Sequence, residues 1–239
     1  MYQFFIEKKL SVKDIYSFNN DDSHHIKNVL RLSKNEVVRL VYDGLAYFAY
    51  IDYDGKKPVA IVKEVDEVSH ELGVKITLIQ SLIKLDKWDL VLQKACELGV
   101  STIVPLYTSR VNIKKDIIEN KKDRFNKIIM ESCKQCKREL LPNLTGVIDL
   151  NKIDEFKSDI NLFAYEIDNI NDNQILNYIE KGKSVSIVIG CEGGFSESEA
   201  IVLKDKGFIP VSLGRRILRA ETASMYALSV VGSVNEVKR

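Results

Sequence analysis

Residues 187–196 read Ile-Val-Ile-Gly-Cys-Glu-Gly-Gly-Phe-Ser, and residues 213–223 read Leu-Gly-Arg-Arg-Ile-Leu-Arg-Ala-Glu-Thr-Ala. Each stretch begins in an apolar strand, breaks at a glycine and passes through a polar loop into a helix. Turns of this kind predict adjacent loops at the carboxyl edge of a sheet, where open α/β sheets bind their ligands. The two stretches therefore predict a small-molecule site.

The sequence from residue 74 onward alternates between strand and helix patterns. Strands are predicted at 74–80, 102–106, 161–166, 185–190 and 209–213. Helices are predicted at 86–98, 114–140, 172–181, 196–206 and 221–237. Asp86 is the expected N-cap of the first of these helices, and Ser196 with Glu199 forms a capping-box pattern. The alternation predicts a mainly parallel sheet covered by helices on both faces.

The first seventy residues follow a different pattern. Short β-type runs at 2–6, 36–41, 47–52 and 59–65 are separated by turn signals such as Asp43-Gly44 and Asp54-Gly55, which predict hairpins. The one helical pattern, at 24–32, has Ile26, Val29 and Leu30 on one face. This part of the chain predicts a small β-rich, barrel-like domain, with residues 64–73 as a linker.

The composition describes an ordinary globular protein of one large or two modest domains. The 239 residues contain 35 Lys and Arg against 34 Asp and Glu, which disfavours a binder coated in positive charge but leaves room for a local basic face. No signal peptide and no apolar run of membrane-spanning length are found, so we expect a cytoplasmic protein without a membrane partner. A lone Cys133-x-x-Cys136 far from the three histidines predicts reduced thiols and no metal site.

The two loops have a chemistry of their own. The first lacks the Gly-Lys-Ser/Thr of a phosphate loop and the GxGxxG spacing of a dinucleotide fold. Its adjacent glycines allow a ligand to approach the backbone closely, although a tight turn without a ligand has the same pattern. The second loop places Arg215, Arg216, Arg219 and Glu221 between a buried strand and a helix, so these charges either pair with one another or meet a polar ligand.

Both loops resemble the RsmE family, SPOUT-class enzymes that use S-adenosylmethionine to methylate N3 of a uridine in 16S ribosomal RNA. Further matches are His25-x4-Leu30-Arg31, Lys87-Trp-Asp89-Leu, Gln93-Lys94-Ala-Cys-Glu97 and Gln135-Cys-x-Arg138, so the resemblance covers essentially the whole chain. Cys191 stands where the family usually has a proline, which would stiffen the loop by fixing φ.

The resemblance implies a two-domain α/β fold. Residues 1–70 would form a PUA-like β-barrel that binds RNA, and residues 73–239 a SPOUT methyltransferase domain containing a trefoil knot. Such proteins are homodimers in which the partner subunit completes each active site. The small residues Ala223, Ala227 and Gly232 would allow close helix contact between subunits, or simply a buried helix.

The resemblance also assigns the cofactor site. Three knot loops would hold a bent S-adenosylmethionine, and the residues expected to bind it are Ala164, Tyr165, Glu166, Gly190, Glu192, Gly193, Gly194, Leu213, Gly214, Ile217, Leu218 and Arg219.

Methylation at N3 of uracil requires removal of a weakly acidic proton and stabilisation of the resulting anion. Arg216 or Arg219 is the candidate for stabilising this charge, and Glu192 or Glu221 is the candidate base, if either lies within reach. Either glutamate could instead serve only to fix the loop. The basic residues expected to contact RNA are Lys27, Arg31, Lys34 and Arg39 in the first domain, and Arg110, Lys114, Lys115, Lys121, Lys122, Arg124, Lys127, Lys134, Lys137 and Arg138 beyond it.

Two other functions are compatible with the sequence. The chain could be a SPOUT methyltransferase that acts on another RNA position, including a ribose 2′-oxygen. It could also be an RNA-binding assembly factor of the 16S rRNA and small ribosomal subunit that has lost catalysis. The glycines of the first loop and Leu218-Arg219 of the second are intact, which favours a working enzyme.

Overall fold

The computed structural model describes residues 1–165 and 173–236 of the 239-residue chain. The chain forms two compact units. The first contains Met1–Glu71 and a later segment, Cys133–Leu140, and the second contains Leu72–Ser132 and Leu141–Arg239.

The first unit is built on a five-stranded sheet. Its strands are β1 (Gln3–Phe5), β2 (Ile15–Ser17), β3 (Val37–Tyr42), β4 (Leu45–Asp54) and β5 (Lys57–Asp66). They are ordered β1-β3-β4-β5-β2, with β1 parallel to β3 and the other pairs antiparallel. Both predicted hairpins are confirmed, and Gly44 and Gly55 have positive φ angles of 81° and 60° in their turns. The three-residue strand β2 was not predicted.

The helical segment of the first unit differs from its prediction. A short helix, α1 (Asn20–His24), is capped by the Asn19 side chain and continues into a π-helical segment, His25–Leu30. The wider π-helical turn buries Ile26 but leaves Val29 59% exposed, so the expected position of Val29 on the core face was wrong. Arg31 ends the segment with a left-handed backbone, φ 52°.

A buried ionic cluster holds the segment Cys133–Leu140 within the first unit. Arg39 on β3 is 1% exposed, and its guanidinium donates to Asp66 at 2.7 Å, to Gln3 at 2.8 Å and to Glu139. Arg138 is 4% exposed and pairs with Glu71 at 2.8 Å. The expectation that Arg39 and Arg138 contact RNA is therefore corrected, since both guanidinium groups are buried against carboxylates.

We predict that Arg39→Met destabilises the first unit by about 3–5 kcal/mol, because it leaves buried Glu139 and Asp66 without their counter-ion. Faster hydrogen exchange of the β3 and β4 amides would report this loss. Lys63→Met is the control, since its pair with Glu64 is exposed and should contribute little.

The same cluster makes stability dependent on pH. Burial raises the pKa of Glu139, but hydrogen bonds from Arg39 and His70 outweigh burial and hold it below the ordinary value. Its contribution to stability is thus complete above the pKa of an unfolded glutamate and disappears as pH falls through the lower folded value. A wild-type protein equally stable on both sides of that range would contradict this assignment.

The second unit is built on a seven-stranded sheet whose pairs are all parallel, as predicted. Its strands are β6 (Ile76–Ser81), β7 (Thr102–Tyr107), β8 (Asn143–Leu144), β9 (Ile148–Asp149), β10 (Ile160–Ala164), β11 (Val185–Ile189) and β12 (Ile209–Val211). The order is β12-β10-β11-β6-β7-β8, with β9 also on β7. Its α-helices are α2 (Leu85–Glu97), α3 (Lys115–Glu119), α4 (Lys122–Cys136), α5 (Glu197–Asp205) and α6 (Ala220–Asn235), and the end of α4 from Cys133 onward belongs to the first unit.

Burial and capping explain these elements. Every residue of β11 is buried, as expected of a central parallel strand. Helix α2 buries Trp88, Val91, Leu92 and Ala95, but it begins one residue before the predicted cap, so Lys84 is the N-cap and Asp86 lies in the first turn. The capping box of α5 is confirmed, because Ser196 and Glu199 each accept a hydrogen bond from the other's backbone N–H.

Two predicted helices were wrong in extent. The helix expected over 114–140 is interrupted at Asn120 and Lys121, where a poor helix former precedes consecutive lysines, and it forms α3 and α4 instead. In the described part of 172–181 a 3-10 segment, Ile175–Tyr178, replaces the α-helix, because Ile175 N–H donates to Ser212 beside the sheet. Asp172 and Val237, at the ends of two predicted helices, lie outside the described residues.

Parallel pairing brings the carboxyl ends of β6, β7, β10, β11 and β12 to one edge of the sheet. The two sequence stretches follow β11 and β12, which are not adjacent, because β10 lies between them. The loops were expected to be neighbours, and the end of β10 instead separates them. A buried cluster that includes Ile79, Phe163, Val188 and Phe195 supports the strands beneath these ends.

Candidate functional site

One cleft of about 1500 Å³ opens at this carboxyl edge. It is lined by the residues that follow β6, β7, β10, β11 and β12 and by the first turns of α2 and α6. Ligand pockets usually enclose ~300–1,000 Å³, so this cleft has room for a small ligand and for part of a larger substrate. The cleft lies at the edge of the sheet where the sequence predicts a small-molecule site.

The loop after β11 folds back on itself at its glycines. Gly194 N–H donates to the Cys191 carbonyl at 2.9 Å, and Gly194 adopts φ 64°. A Cβ built on Gly190 would lie 3.1 Å from the Cα of Gly194, a tighter contact than most Cβ atoms make, so a larger residue at position 190 would force the loop to shift. We call residues Gly190–Ser196 the glycine loop.

The loop after β7 holds the glycine loop from one side. Arg110 donates to the Gly193 carbonyl at 2.7 Å, and its aliphatic part lies against Gly193. Next to it, Ser109 N–H donates to Glu199 at 2.6 Å. Burial raises the pKa of Glu199, but hydrogen bonds from Ser109 and Ser196 hold it below the ordinary value, so Glu199 stays a carboxylate. The cap of α5 thus also anchors the β7 loop.

The loop after β12 carries the arginines. Gly214 has φ 105°, and its N–H donates to the Ser212 hydroxyl at 3.1 Å. We call residues Leu213–Arg219 the arginine loop. Ile217 within it is 87% exposed, and Arg219 is the N-cap of α6. The side chains of Arg215, Arg216 and Arg219 are exposed, and none of them forms an ion pair with a residue that the structure describes.

The two candidate base residues lie in different surroundings. Glu221 is buried and pairs with Lys87 on α2 at 3.0 Å. Burial raises its pKa, but hydrogen bonds from its own N–H and from Lys87, with the charges of Lys87 and Arg219, hold the pKa below the ordinary value. Glu192 is exposed in the glycine loop, where it accepts a long hydrogen bond of 3.4 Å from Lys84 N–H.

The end of β10 forms the third side of the cleft. Ala164 and Tyr165 both line it, and Tyr165 N–H donates to Val211 at 3.0 Å. The Tyr165 ring lies 5.6 Å from that of Phe163. Glu166, the third residue expected here, lies outside the described residues. The other expected cofactor residues, in the glycine and arginine loops, all line the cleft.

Sequence patterns missed a buried amide beside the cleft. Gln80, the penultimate residue of β6, is fully buried, and its side-chain nitrogen donates to the Gly190 carbonyl at 3.2 Å. Its oxygen accepts from the Ser224 hydroxyl on α6. The available signal was a long polar side chain directly after the apolar pair Leu78-Ile79 in a strand. The pair of Lys87 and Glu221 was also missed, because only the fold brings them together.

The residues expected to contact RNA are distributed over both units. Lys27 and Arg31 are exposed beside the π-helical segment of the first unit, and Lys134 is half-buried with its ammonium 6.0 Å from the Phe4 ring. Lys34 is also exposed and pairs with Asp52 at 2.8 Å. Arg110 lies at the cleft of the second unit.

Other kinds of site find no support in the described ranges. Among residues 1–165 and 173–236, no three His, Cys, Asp or Glu side chains cluster as metal ligands, and no disulfide joins the four cysteines. Each helix in those ranges is too short or too polar to cross a lipid bilayer.

A parallel sheet with glycine-lined and arginine-lined loops at its carboxyl edge defines a ligand-binding α/β domain. Family models give it a more specific assignment. A model of the RNA methyltransferase domain matches residues 70–232, and a model of the RNA methyltransferase PUA domain matches residues 18–64.

Similar individual proteins support the same assignment. Ribosomal RNA small subunit methyltransferase E of Bacillus subtilis is 29% identical, covering 100% of this chain and 99% of its own. The structure of a methyltransferase from Legionella pneumophila in complex with SAM is 31% identical, covers 97% of each chain and has a TM-score of 0.84. Ribosomal RNA small subunit methyltransferase E from Neisseria gonorrhoeae, bound to S-adenosyl methionine, is 29% identical with a TM-score of 0.87, covering 98% of this chain and 97% of that one. The chain belongs to the RNA methyltransferase family and, within it, to the RsmE family of ribosomal RNA small subunit methyltransferases.

Proposed function

We propose that this protein transfers a methyl group from S-adenosylmethionine to N3 of a specific uridine in the 16S rRNA of the small ribosomal subunit. The observation that carries the proposal is the cleft, where a glycine loop and unpaired arginines face the same space. The names of the relatives and their bound S-adenosylmethionine support both the reaction and its RNA substrate.

The residues of the cleft fit this donor. A Cβ built on Gly194 or Gly214 would meet nothing within 4 Å, so a ligand can approach the backbone of both loops. Backbone N–H and C=O groups of these loops can pair with an adenine edge, and the apolar residues Leu82, Ile113 and Leu218 can cover its faces. We assign donor binding to Ala164, Tyr165, Glu166, Gly190, Glu192, Gly193, Gly194, Leu213, Gly214, Ile217, Leu218 and Arg219.

When bound, S-adenosylmethionine supplies a methyl group on a positively charged sulfur, which leaves as a neutral thioether. The protein must make uracil N3 a nucleophile by accepting its proton and stabilising the negative charge on the ring oxygens. Arg216 and Arg219 provide fixed positive charge for this purpose. The N3–C bond forms as the C–S bond breaks, so no further reactant is required.

The surroundings of the two glutamates favour different roles. Glu221 is kept ionised by Lys87, and a carboxylate with a lowered pKa is a weak proton acceptor. We therefore assign Glu221 to holding the start of α6 and retain Glu192, exposed on the glycine loop, as the candidate base.

The resemblance supports further features of the proposal. Residues 1–70 would form a PUA-like β-barrel that binds RNA, and residues 73–239 a SPOUT domain with a trefoil knot. The protein would act as a cytoplasmic homodimer. Exposed Ile217 is consistent with a partner subunit over the arginine loop, whereas Ala223 and Ala227 are buried within the protomer. The proposed RNA contacts are Lys27, Arg31, Arg110 and Lys134.

A methylation assay on purified small subunits that lack the modification tests the proposal. We expect one methyl group per subunit, located by mass spectrometry at N3 of one uridine, and no transfer to large subunits as the control. A methyl group on a ribose 2′-oxygen would identify a different RNA methyltransferase. Binding of S-adenosylmethionine and RNA without transfer would identify a silent assembly factor.

A further inference from the structure

We propose that Gln80 is a positioning residue that couples the glycine loop to helix α6 and thereby sets the affinity for the methyl donor. The inference rests on the proposed function, because it treats the cleft as the donor site. Neither Gln80 nor its partner Ser224 lines the cleft, so both would act through other residues.

The hydrogen bonds fix the orientation of the Gln80 amide. Its Nε2 lies 2.9 Å from the Ser81 carbonyl and 3.2 Å from the Gly190 carbonyl, and two carbonyl partners require the nitrogen at that position. Its Oε1 therefore faces Ser224, whose hydroxyl donates to it. The Ser224 hydroxyl also lies 3.1 Å from the Ala220 carbonyl on the same helix.

The Gln80 side chain joins two elements that contribute to the lining of the cleft, the glycine loop and helix α6. Gly190 is the first residue of the glycine loop, and Ser224 lies about one turn along α6 from Arg219, the N-cap. Gln80 is fully buried and Ser224 is 1% exposed, so water cannot replace a lost partner. A change at either end therefore displaces the Gly190 carbonyl or leaves it unsatisfied.

Gln80→Glu tests the coupling with little change in shape. An ionised carboxylate accepts from Ser224 but cannot donate to Gly190, whereas a protonated one has a single O–H, which can donate to one of the two carbonyls. Burial raises the pKa of the introduced carboxyl, so the donor returns as pH falls. By titration calorimetry, we expect the variant to bind S-adenosylmethionine about tenfold more weakly than wild type at pH 8 and to recover part of this loss at lower pH.

Ser224→Ala provides a second test at the other end of the connection. We expect a severalfold loss of donor affinity, and a double variant with Gln80→Glu that loses less than the sum of the single losses. Ser229→Ala is the matched control, because its exposed hydroxyl donates to the Met225 carbonyl of the same helix at 2.7 Å and to no other residue that the structure describes. This variant should bind the donor like wild type.

The possible results distinguish a failure of the proposed function from a failure of the coupling through Gln80. Wild-type protein that binds no S-adenosylmethionine would overturn the proposed function itself. If wild type binds S-adenosylmethionine, either of two results for Gln80→Glu refutes the coupling. One is a donor affinity equal to that of wild type. The other is a loss of affinity relative to wild type that is the same at every pH. Should Gln80→Glu fail to fold, Ser224→Ala decides alone, and donor affinity equal to that of Ser229→Ala would refute the coupling.

Discussion

Arg219→Ala is expected to slow methyl transfer by about 10²–10³-fold, the usual effect of removing one preorganised group that stabilises developing charge. Arg219 is the stronger of the two candidates because its backbone is fixed. As the N-cap of α6, it accepts a hydrogen bond from Ala223 N–H at 2.8 Å through its carbonyl. Arg216 lies three residues earlier in the exposed loop.

The charge balance around Arg219 supports this expectation. Its nearest acidic neighbour along the helix is Glu221, which is paired with Lys87 at 3.0 Å. Because Lys87 offsets that carboxylate, most of the positive charge of Arg219 remains available to a uracil anion. The position of Arg219 at the positive end of the α6 dipole adds to it.

Single-turnover methylation of small subunits over a range of pH measures this effect. Loss of anion stabilisation should be partly rescued at high pH, where uracil ionises without help, so the rate of the variant should keep rising above the pH at which wild type levels off. Arg215→Ala is the control, since Arg215 is exposed on the same loop without an assigned role. If Arg219→Ala still binds donor and RNA and methylates at an unchanged rate, Arg219 does not stabilise the uracil anion.

Local patterns were enough to predict much of the fold and the position of the site. The capping box of Ser196 and Glu199, the turns at Gly44 and Gly55 and the buried run of β11 depend on neighbours in sequence, and each is confirmed. The glycine and arginine loops were also predictable from local sequence, because in each an apolar strand pattern is broken by a glycine that marks the start of a loop.

Long-range partners were not predictable from one sequence. Gln80 bonds to a residue 110 positions away, and Arg39 to one 100 positions away. Nothing local distinguishes a buried arginine from one that contacts RNA, so Arg39 and Arg138 were assigned by charge alone. The position of β10 between β11 and β12 is likewise a property of the whole sheet.

Gly190→Val is expected to weaken binding of S-adenosylmethionine by about ten- to a hundredfold, because overpacking costs about 1–3 kcal/mol and each 1.4 kcal/mol is about a factor of ten in affinity. A Cβ at this position would lie 3.1 Å from Gly194 Cα, 3.2 Å from the Gly194 carbonyl carbon and 3.4 Å from the Phe195 ring. These are backbone and buried aromatic atoms, so the loop itself must move.

Titration calorimetry on two substitutions of different size tests whether crowding at position 190 weakens donor binding. Gly190→Ala should weaken binding less than Gly190→Val, since the valine adds two further methyl groups to the same contact. Gly146→Ala is the matched control, because Gly146 does not line the cleft and its new Cβ would meet the Glu119 carboxylate at an ordinary contact distance of 3.4 Å. The donor should raise the melting temperature of wild type and Gly146→Ala but not of Gly190→Val, since a ligand stabilises a protein only in proportion to its binding. Donor binding by a folded Gly190→Val equal to that of wild type would mean that the glycine loop is not part of the donor site.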